Sequence, residues 1–194
     1  LKSRLNVSAR VDVSAPADRI SIQSMSGSFS VTADDVAFAE YRAEHVDASG
    51  RLDRGRASAD IRADAYGAST KGQAVVAVDK SHTTYQARGR LERLNLSRLP
   101  AQLSVPALES ALAFEYDVAG VDQSARGTLR FEQGMLESAG IENGAVARFS
   151  VGGPRPRYSF EGSLSHVDPE RIGRALQIEG LAEPRFEGDL NGTF

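Results

Sequence analysis

The chain contains no cysteine, which excludes a disulfide scaffold, a thiolate zinc site and a cysteine nucleophile. Tryptophan is also absent, and histidine occurs only at His45, His82 and His166. Lysine is confined to Lys2, Lys71 and Lys80, so arginine supplies nearly all of the positive charge. The formal net charge of -3 is not the basic footprint of a nucleic-acid binder. No apolar run approaches the roughly 18 residues that a membrane-spanning helix needs. Aromatic residues are 7% of the chain, low for a closely packed all-β core of 194 residues. The sequence opens at Leu1 with no signal-peptide pattern, and it reads as a piece of a longer protein.

What is present is alternation. Leu5, Val7, Ala9, Val11 and Val13 are apolar, with Arg4, Asn6, Ser8, Arg10 and Asp12 between them. A strand sends successive side chains to opposite faces, so such a segment has one dry face and one wet face. The pattern returns at Ala57–Ala65, Leu112–Val118, Ala125–Phe131, Ala145–Val151, Tyr158–Leu164 and Phe186–Phe194. Turn signals stand at Ala15-Pro16-Ala17-Asp18, Ala48-Ser49-Gly50, Ala119-Gly120, Glu142-Asn143-Gly144 and Gly152-Gly153-Pro154. Their spacing predicts an antiparallel meander of about a dozen strands. Two segments break the alternation. Asp168-Pro169-Glu170-Arg171 reads as a helix start, with an Asp cap and Pro in the first helical position. Asn95–Leu103 carries Pro100, which limits it to one turn placed near that proline.

These breaks occupy matching places in a repeat. Tyr85, Gly89, Leu91, Leu94, Arg98 and Leu99 correspond to Tyr158, Gly162, Leu164, Val167, Arg171 and Ile172, each pair 73 positions apart. Further on, Phe114–Gly120 corresponds to Phe186–Gly192 at an offset of 72. The chain therefore reads as one continuous repeating β domain over residues 1–194, with units of approximately 85–157 and 158–194, the second truncated.

Chemistry-bearing motifs are sparse. No Gly-x-Ser-x-Gly, P-loop, dinucleotide-binding or His-Glu-x-x-His pattern occurs. Gly67–Gly72 lacks the Gly-Lys-Ser/Thr ending of a phosphate loop and reads as a hairpin turn. His45 and His82 fall at expected strand ends and His166 before the Asp168 turn, too scattered in sequence to define a metal site. Asp60 and Asp64 share a polar strand face with Arg56 and Arg62, a pattern of solvated ion pairs rather than of opposed catalytic carboxylates. No catalytic residue, metal ligand or cofactor is expected, and the chain reads as a non-enzyme.

The Tyr158-Ser-Phe160-Glu-Gly162-Ser-Leu164-Ser-His-Val167-Asp-Pro-Glu-Arg-Ile172 run and the Phe186-Glu-Gly-Asp-Leu190-Asn-Gly192 run resemble the repeating β region of the AsmA/TamB family of bacterial envelope proteins. Gly127-Thr-Leu129-Arg-Phe131 and Ala65-Tyr66-Gly67 fit the same texture of strands and glycines. The resemblance implies an all-β fold: an open, curved antiparallel sheet built from repeats, with short helical turns at its rim and an apolar concave groove. It further implies a periplasmic segment, anchored to the inner membrane in the longer protein. Such a protein bridges inner and outer membranes and carries phospholipids by their acyl chains. Groove lining would fall to Leu112, Phe114, Leu129, Phe131, Phe149, Phe160, Leu164 and Leu190. Many other inward positions are alanine, including Ala57, Ala59, Ala74 and Ala87, which leaves width for a ligand. Two readings stay open beside this one. The same family suggests an outer-membrane protein assembly factor, partnering a barrel protein and pairing with client β-strands. Alternation is equally compatible with a structural repeat whose core is filled.

Overall fold

The computed structural model describes residues 4–13, 22–38, 41–79, 81–101 and 106–193. Among the described residues fourteen strands form one open antiparallel sheet. The first six are long: β1 (Arg4–Val13), β2 (Met25–Phe38), β3 (Tyr41–Asp53), β4 (Arg56–Ala65), β5 (Ala68–Val78) and β6 (Thr83–Leu94). They lie in chain order, each paired with the next. β7 (Ser110–Val121) and β8 (Ser124–Phe131) continue the series, followed in the ladder by β11 (Val146–Val151) and β12 (Arg157–Glu161). A second branch leaves β7 through β9 (Gly134–Leu136), β10 (Ala139–Ile141), β13 (Ser163–Val167) and β14 (Leu190–Thr193). The turn at Ala15–Asp18 lies outside the described residues.

Tight hairpins set the register. Arg54-Gly55 joins β3 to β4 and Tyr66-Gly67 joins β4 to β5, all four residues with positive φ. Two-residue loops of this kind match the twist of the flanking strands. Two expected turns are instead strand interior. Ala48-Ser49-Gly50 lies inside β3, and Ala119-Gly120 inside β7, whose hairpin falls later at Asp122-Gln123. Glycine at these sites serves a close approach across the sheet, described below. The turns at Glu142–Gly144 and after Val151 are present.

β8 and β9 are halves of one path, as are β10 and β11, and β12 and β13. Their breaks fall at Glu132-Gln133, Glu142–Ala145 and Gly162, on three neighbouring strands. Interruptions of a ladder bend the strands that carry them, so aligned breaks crease the sheet. The packed core sits at this crease. Leu112, Phe114, Phe131, Ile141 and Ala145 are buried, with Leu91, Leu94, Leu96, Leu129, Leu136, Phe160 and Leu164 against them. Phe114 and Phe131 meet edge to face with centroids 5.5 Å apart, and Phe160 stands 6.3 Å from Phe131. At Gly162 a Cβ would come within 2.5 Å of the Ala145 Cβ, so only glycine lets the two paths close.

The repeat has a structural counterpart. β6 and β13 each carry a register shift, between Leu91 and Leu94 and between Leu164 and Val167. Arg93 and His166, again 73 positions apart, take the same left-handed conformation there, with φ of 60° and 53°. Each bulge is followed by an Asx cap. The Asn95 side chain accepts the Ser97 N–H and opens a 3-10 turn at Leu96–Arg98, and Ala101, directly after Pro100, is again in 3-10 conformation, as expected for a turn near that proline. The Asp168 side chain accepts from Glu170 and Arg171 and opens helix α1 (Pro169–Ala175). Beyond the helices the correspondence shifts. Leu91 pairs with Phe114 and Leu164 with Gly192, so the equivalent of Phe114 is Gly192, 78 positions on, and not Phe186. Phe186 belongs to a 3-10 turn at Pro184–Phe186. The longer α1 and this extra turn absorb the five additional residues between the matched strands.

Candidate functional site

Register places the apolar residues of nine strands on one face. One row across the sheet runs Phe29, Gly50, Ala59, Ala74, Ala87, Val118, Gly127, Phe149, Tyr158. The next runs Val31, Ala48, Ile61, Gly72, Gly89, Tyr116, Leu129, Ala147, Phe160. Neither row contains a titratable carboxylate or base. At about 4.8 Å per strand the face extends roughly 40 Å across the sheet. On β4 and β6 its residues are half-buried, not buried, because no second layer of the described residues packs over them. The buried cluster of large apolar side chains lies at the crease; away from it Ala33 on β2 and Ala68 on β5 are also buried.

The relief of this face is set by rings lying across glycines. Phe29 is paired with Gly50, Tyr116 with Gly89, Tyr85 with Gly120 and Phe149 with Gly127. A Cβ on Gly50 would stand 2.8 Å from the Phe29 ring, and one on Gly127 would stand 2.6 Å from the Phe149 ring. Tyr116 reaches past Gly89 to Gly72, where a Cβ would lie 2.7 Å from its Oη. The rings therefore lie down on the backbone of the neighbouring strand. Their polar tips are tied: Tyr85 Oη donates to the Ser124 carbonyl at 3.0 Å, and Tyr116 Oη bonds Thr70 Oγ1 at 3.2 Å. The result is a low, smooth apolar surface.

Six of the eight expected lining residues come together: Leu112, Phe114, Leu129, Phe131, Phe160 and Leu164 share the crease cluster. Leu112, Phe114 and Phe131 are buried there by the protein's own side chains. Phe149 is half-buried over Gly127 on the same face. Leu190, on β14, is 57% exposed and outside the cluster. On the more open half of the face the sequence marks Ile61 and the inward alanines Ala59, Ala74 and Ala87, but not Phe29 and Val31. Alternation marks each strand there, but only cross-strand register shows that the apolar sides coincide.

The opposite face is charged and paired. Asp117 meets Arg88 at 3.0 Å, Glu132 meets Arg90 at 2.7 Å, and Glu161 meets Arg148 at 2.7 Å. A depression of about 750 Å3 lies between its long side chains, bounded by Asp60, Lys71, Arg88, Arg90, Asp117 and Arg130. His45 sits within β3, not at a strand end. Its Nδ1 is 2.6 Å from Asp34 and its Nε2 3.0 Å from Asp47. The hydrogen bond to Asp34, then that to Asp47, raises its pKa to about 9 and keeps the imidazole cationic at neutral pH. Asp47 is held below the usual carboxylate range, chiefly by the His45 bond and then by the Thr32 hydroxyl. His82 pairs with Asp122 at 2.7 Å and His166 with Asp189 at 2.9 Å. Among the described residues no group of three or more His, Asp or Glu side chains is arranged to hold a metal ion.

Helix α1 does not cover the apolar face as Leu96 does. Ile172 is half-buried outside the crease cluster and Leu176 is 36% exposed. The helix is held instead by Gly173 against Leu181 and by Arg171, whose Nε donates to Glu137 Oε2 at 3.2 Å. Leu99 is half-buried, and Leu103 lies outside the described residues. Among the described residues no helix is long and apolar enough to cross a membrane. Comparison of the chain with protein-family models, curated proteins and solved structures returns no match.

Proposed function

We propose that this chain is a segment of a bridge-like lipid carrier of the bacterial periplasm, in which phospholipid acyl chains travel along the apolar face between inner and outer membranes. The observation that carries the reading is the apolar face itself: nine strands in register, without charge in its two central rows, and half-exposed over β3–β6. Acyl chains ask for apolar area and no hydrogen bonds, and each large apolar side chain removed from water contributes about 1.5–3 kcal/mol. Rings flattened on glycine backbone leave no ridge to stop a chain sliding across the strands. Head groups would stay at the rim in water. Antiparallel extension by further strands lengthens the path at about 4.8 Å per strand without new side-chain chemistry.

Native mass spectrometry of the purified chain, with extraction and lipid analysis, tests it. Phospholipid should co-purify with the protein. Ala74→Asp and Ala87→Asp, centred on the open part of the face, should abolish lipid occupancy while the circular dichroism spectrum stays that of the parent. Ser58→Asp, on the polar face, should leave occupancy unchanged. Absence of bound lipid after reconstitution with phospholipid vesicles would sink the reading.

A further inference from the structure

We propose that the apolar face takes acidic phospholipids in one orientation, their phosphates along the hairpin rim at Arg54-Gly55 and Asp122-Gln123 and their acyl chains lying inward from it; the proposal rests on the lipid-carrier reading above. Antiparallel register brings several turns to this one end of the sheet: Arg54-Gly55, residues 79–82, Asp122-Gln123 and residues 152–156. Arg51, Arg56, Arg126 and Arg155 stand exposed at the same end. Among the described residues none of these arginines has a carboxylate partner. The carboxylates described there are Asp53, Asp79 and Asp122. Asp53 meets Arg54 at 3.2 Å and Asp122 meets His82 at 2.7 Å.

The other ends of β2–β6 have the opposite sign. Asp34, Asp35, Glu44, Asp64 and Glu92 lie there, against Arg42, His45 and Arg93. A field therefore runs along the strands and draws an anion to the hairpin rim. The open apolar area lies on that side too. Leu52, Ala57, Val76 and Tyr85 form the row of the apolar face next to the hairpin rim, and Val76 is 38% exposed. Towards the acidic end of the same face, Ala33 and Ala68 are 4% and 8% exposed. An acyl chain thus finds uncovered apolar surface immediately inside the basic rim. A guanidinium holds a phosphate through paired, charge-assisted N–H···O bonds. A glycerol head group leaves the phosphate charge uncompensated, whereas ethanolamine brings its own ammonium into a rim that is already cationic.

The intact chain, equilibrated with vesicles of equal parts phosphatidylglycerol and phosphatidylethanolamine and then re-isolated, is the test. Its extracted lipid should be enriched about fivefold in phosphatidylglycerol, the effect of one well-placed arginine on an acidic lipid. Raised salt should reduce the enrichment by screening. Arg56→Glu combined with Arg126→Glu should erase the preference without emptying the face, and Arg56→Lys with Arg126→Lys should keep most of it. Arg42→Glu, on the acidic rim, should leave it unchanged. Phosphatidylethanolamine acylated on its nitrogen with a nitroxide, and so made anionic, should broaden the amide resonances of Arg54, Gly55 and Gln123 and spare those of Tyr66 and Gly67. Bound lipid in the input ratio of head groups, or broadening at Tyr66-Gly67 instead, overturns the proposal while the lipid-carrier reading stands. A chain that takes up neither phospholipid overturns both.

Discussion

His45 is the side chain whose ionisation is most tightly coupled to the sheet. It bridges Asp34 on β2 and Asp47 two residues along β3, with Asp64 directly across on β4 and Arg62 beside Asp47. A folded pKa of about 9 lies above the ordinary value of 6.5. Its contribution to stability is therefore full below about pH 6.5 and is lost as pH rises through about 9. The lowered Asp47 acts in the opposite window, contributing above its ordinary pKa and failing as pH falls through the folded one. Proton NMR should show a His45 titration midpoint near 9, and Asp34→Asn should bring it down towards 6.5. A His45 midpoint at 6.5 in the parent chain would remove the clamp. The glycines under rings make a second prediction. Gly127→Val forces the Phe149 ring off the backbone, and overpacking of this kind costs about 1–3 kcal/mol. A chemical denaturation midpoint equal to that of the parent would show that the ring moves freely.

Strands and helices differ sharply in what they contribute. The crease joins β7 through β13 around Phe114, Phe131 and Phe160, and truncation of a buried aromatic there leaves a cavity that the sheet cannot close. Phe131→Ala should cost about 3–5 kcal/mol. Helix α1 is peripheral by comparison: Ile172→Ala removes half-buried area outside the cluster and should cost about 1 kcal/mol. Urea titrations of the two variants decide the matter, and equal losses would place α1 in the core. The same contrast explains why the two helical turns of the repeat do different jobs. Leu96 follows its bulge into the crease, whereas the second turn grows into α1 and is tied to Glu137, whose side chain is 10% exposed.

Across the chain, stability should run downhill from the crease to β1 and β2. The crease has buried residues on both sides, while β3–β6 hold a single layer by hairpins, cross-strand pairs and half-buried alanines. Native-state hydrogen exchange should find the slowest amides at Leu112–Phe114, Leu129–Phe131 and Ala145–Ala147, and faster exchange at Phe29–Ala33. Bound phospholipid, if it occupies the open face, should slow exchange in β3–β6 more than at the crease, because only the former has apolar area left to cover. Uniform protection from β2 to β12 without lipid would mean that the sheet is stabilised by something other than the crease.

Alternation of side chains is a local property, and it was enough for the all-β class, the antiparallel meander and one wet face per strand. The Asp168-Pro169 helix start was equally readable, since a cap needs only the residues beside it. The 73-residue offset marked Tyr85 with Tyr158 and Leu91 with Leu164, and both members of each pair lie on the apolar side. Three things needed the folded chain. Glycine in a turn and glycine beneath a ring look alike in a sequence, so Gly50 and Gly120 could be placed only once Phe29 and Tyr85 were seen across from them. The end of the second repeat depended on how many residues α1 and the turn after it consume, which moved the match from Phe186 to Gly192. The division of the apolar face into a packed crease and an open sheet rests on breaks in three separate strands that fall side by side. Only the cross-strand hydrogen bonds bring Gln133, Asn143 and Gly162 into one line, because register is a relation between strands and no single strand encodes it.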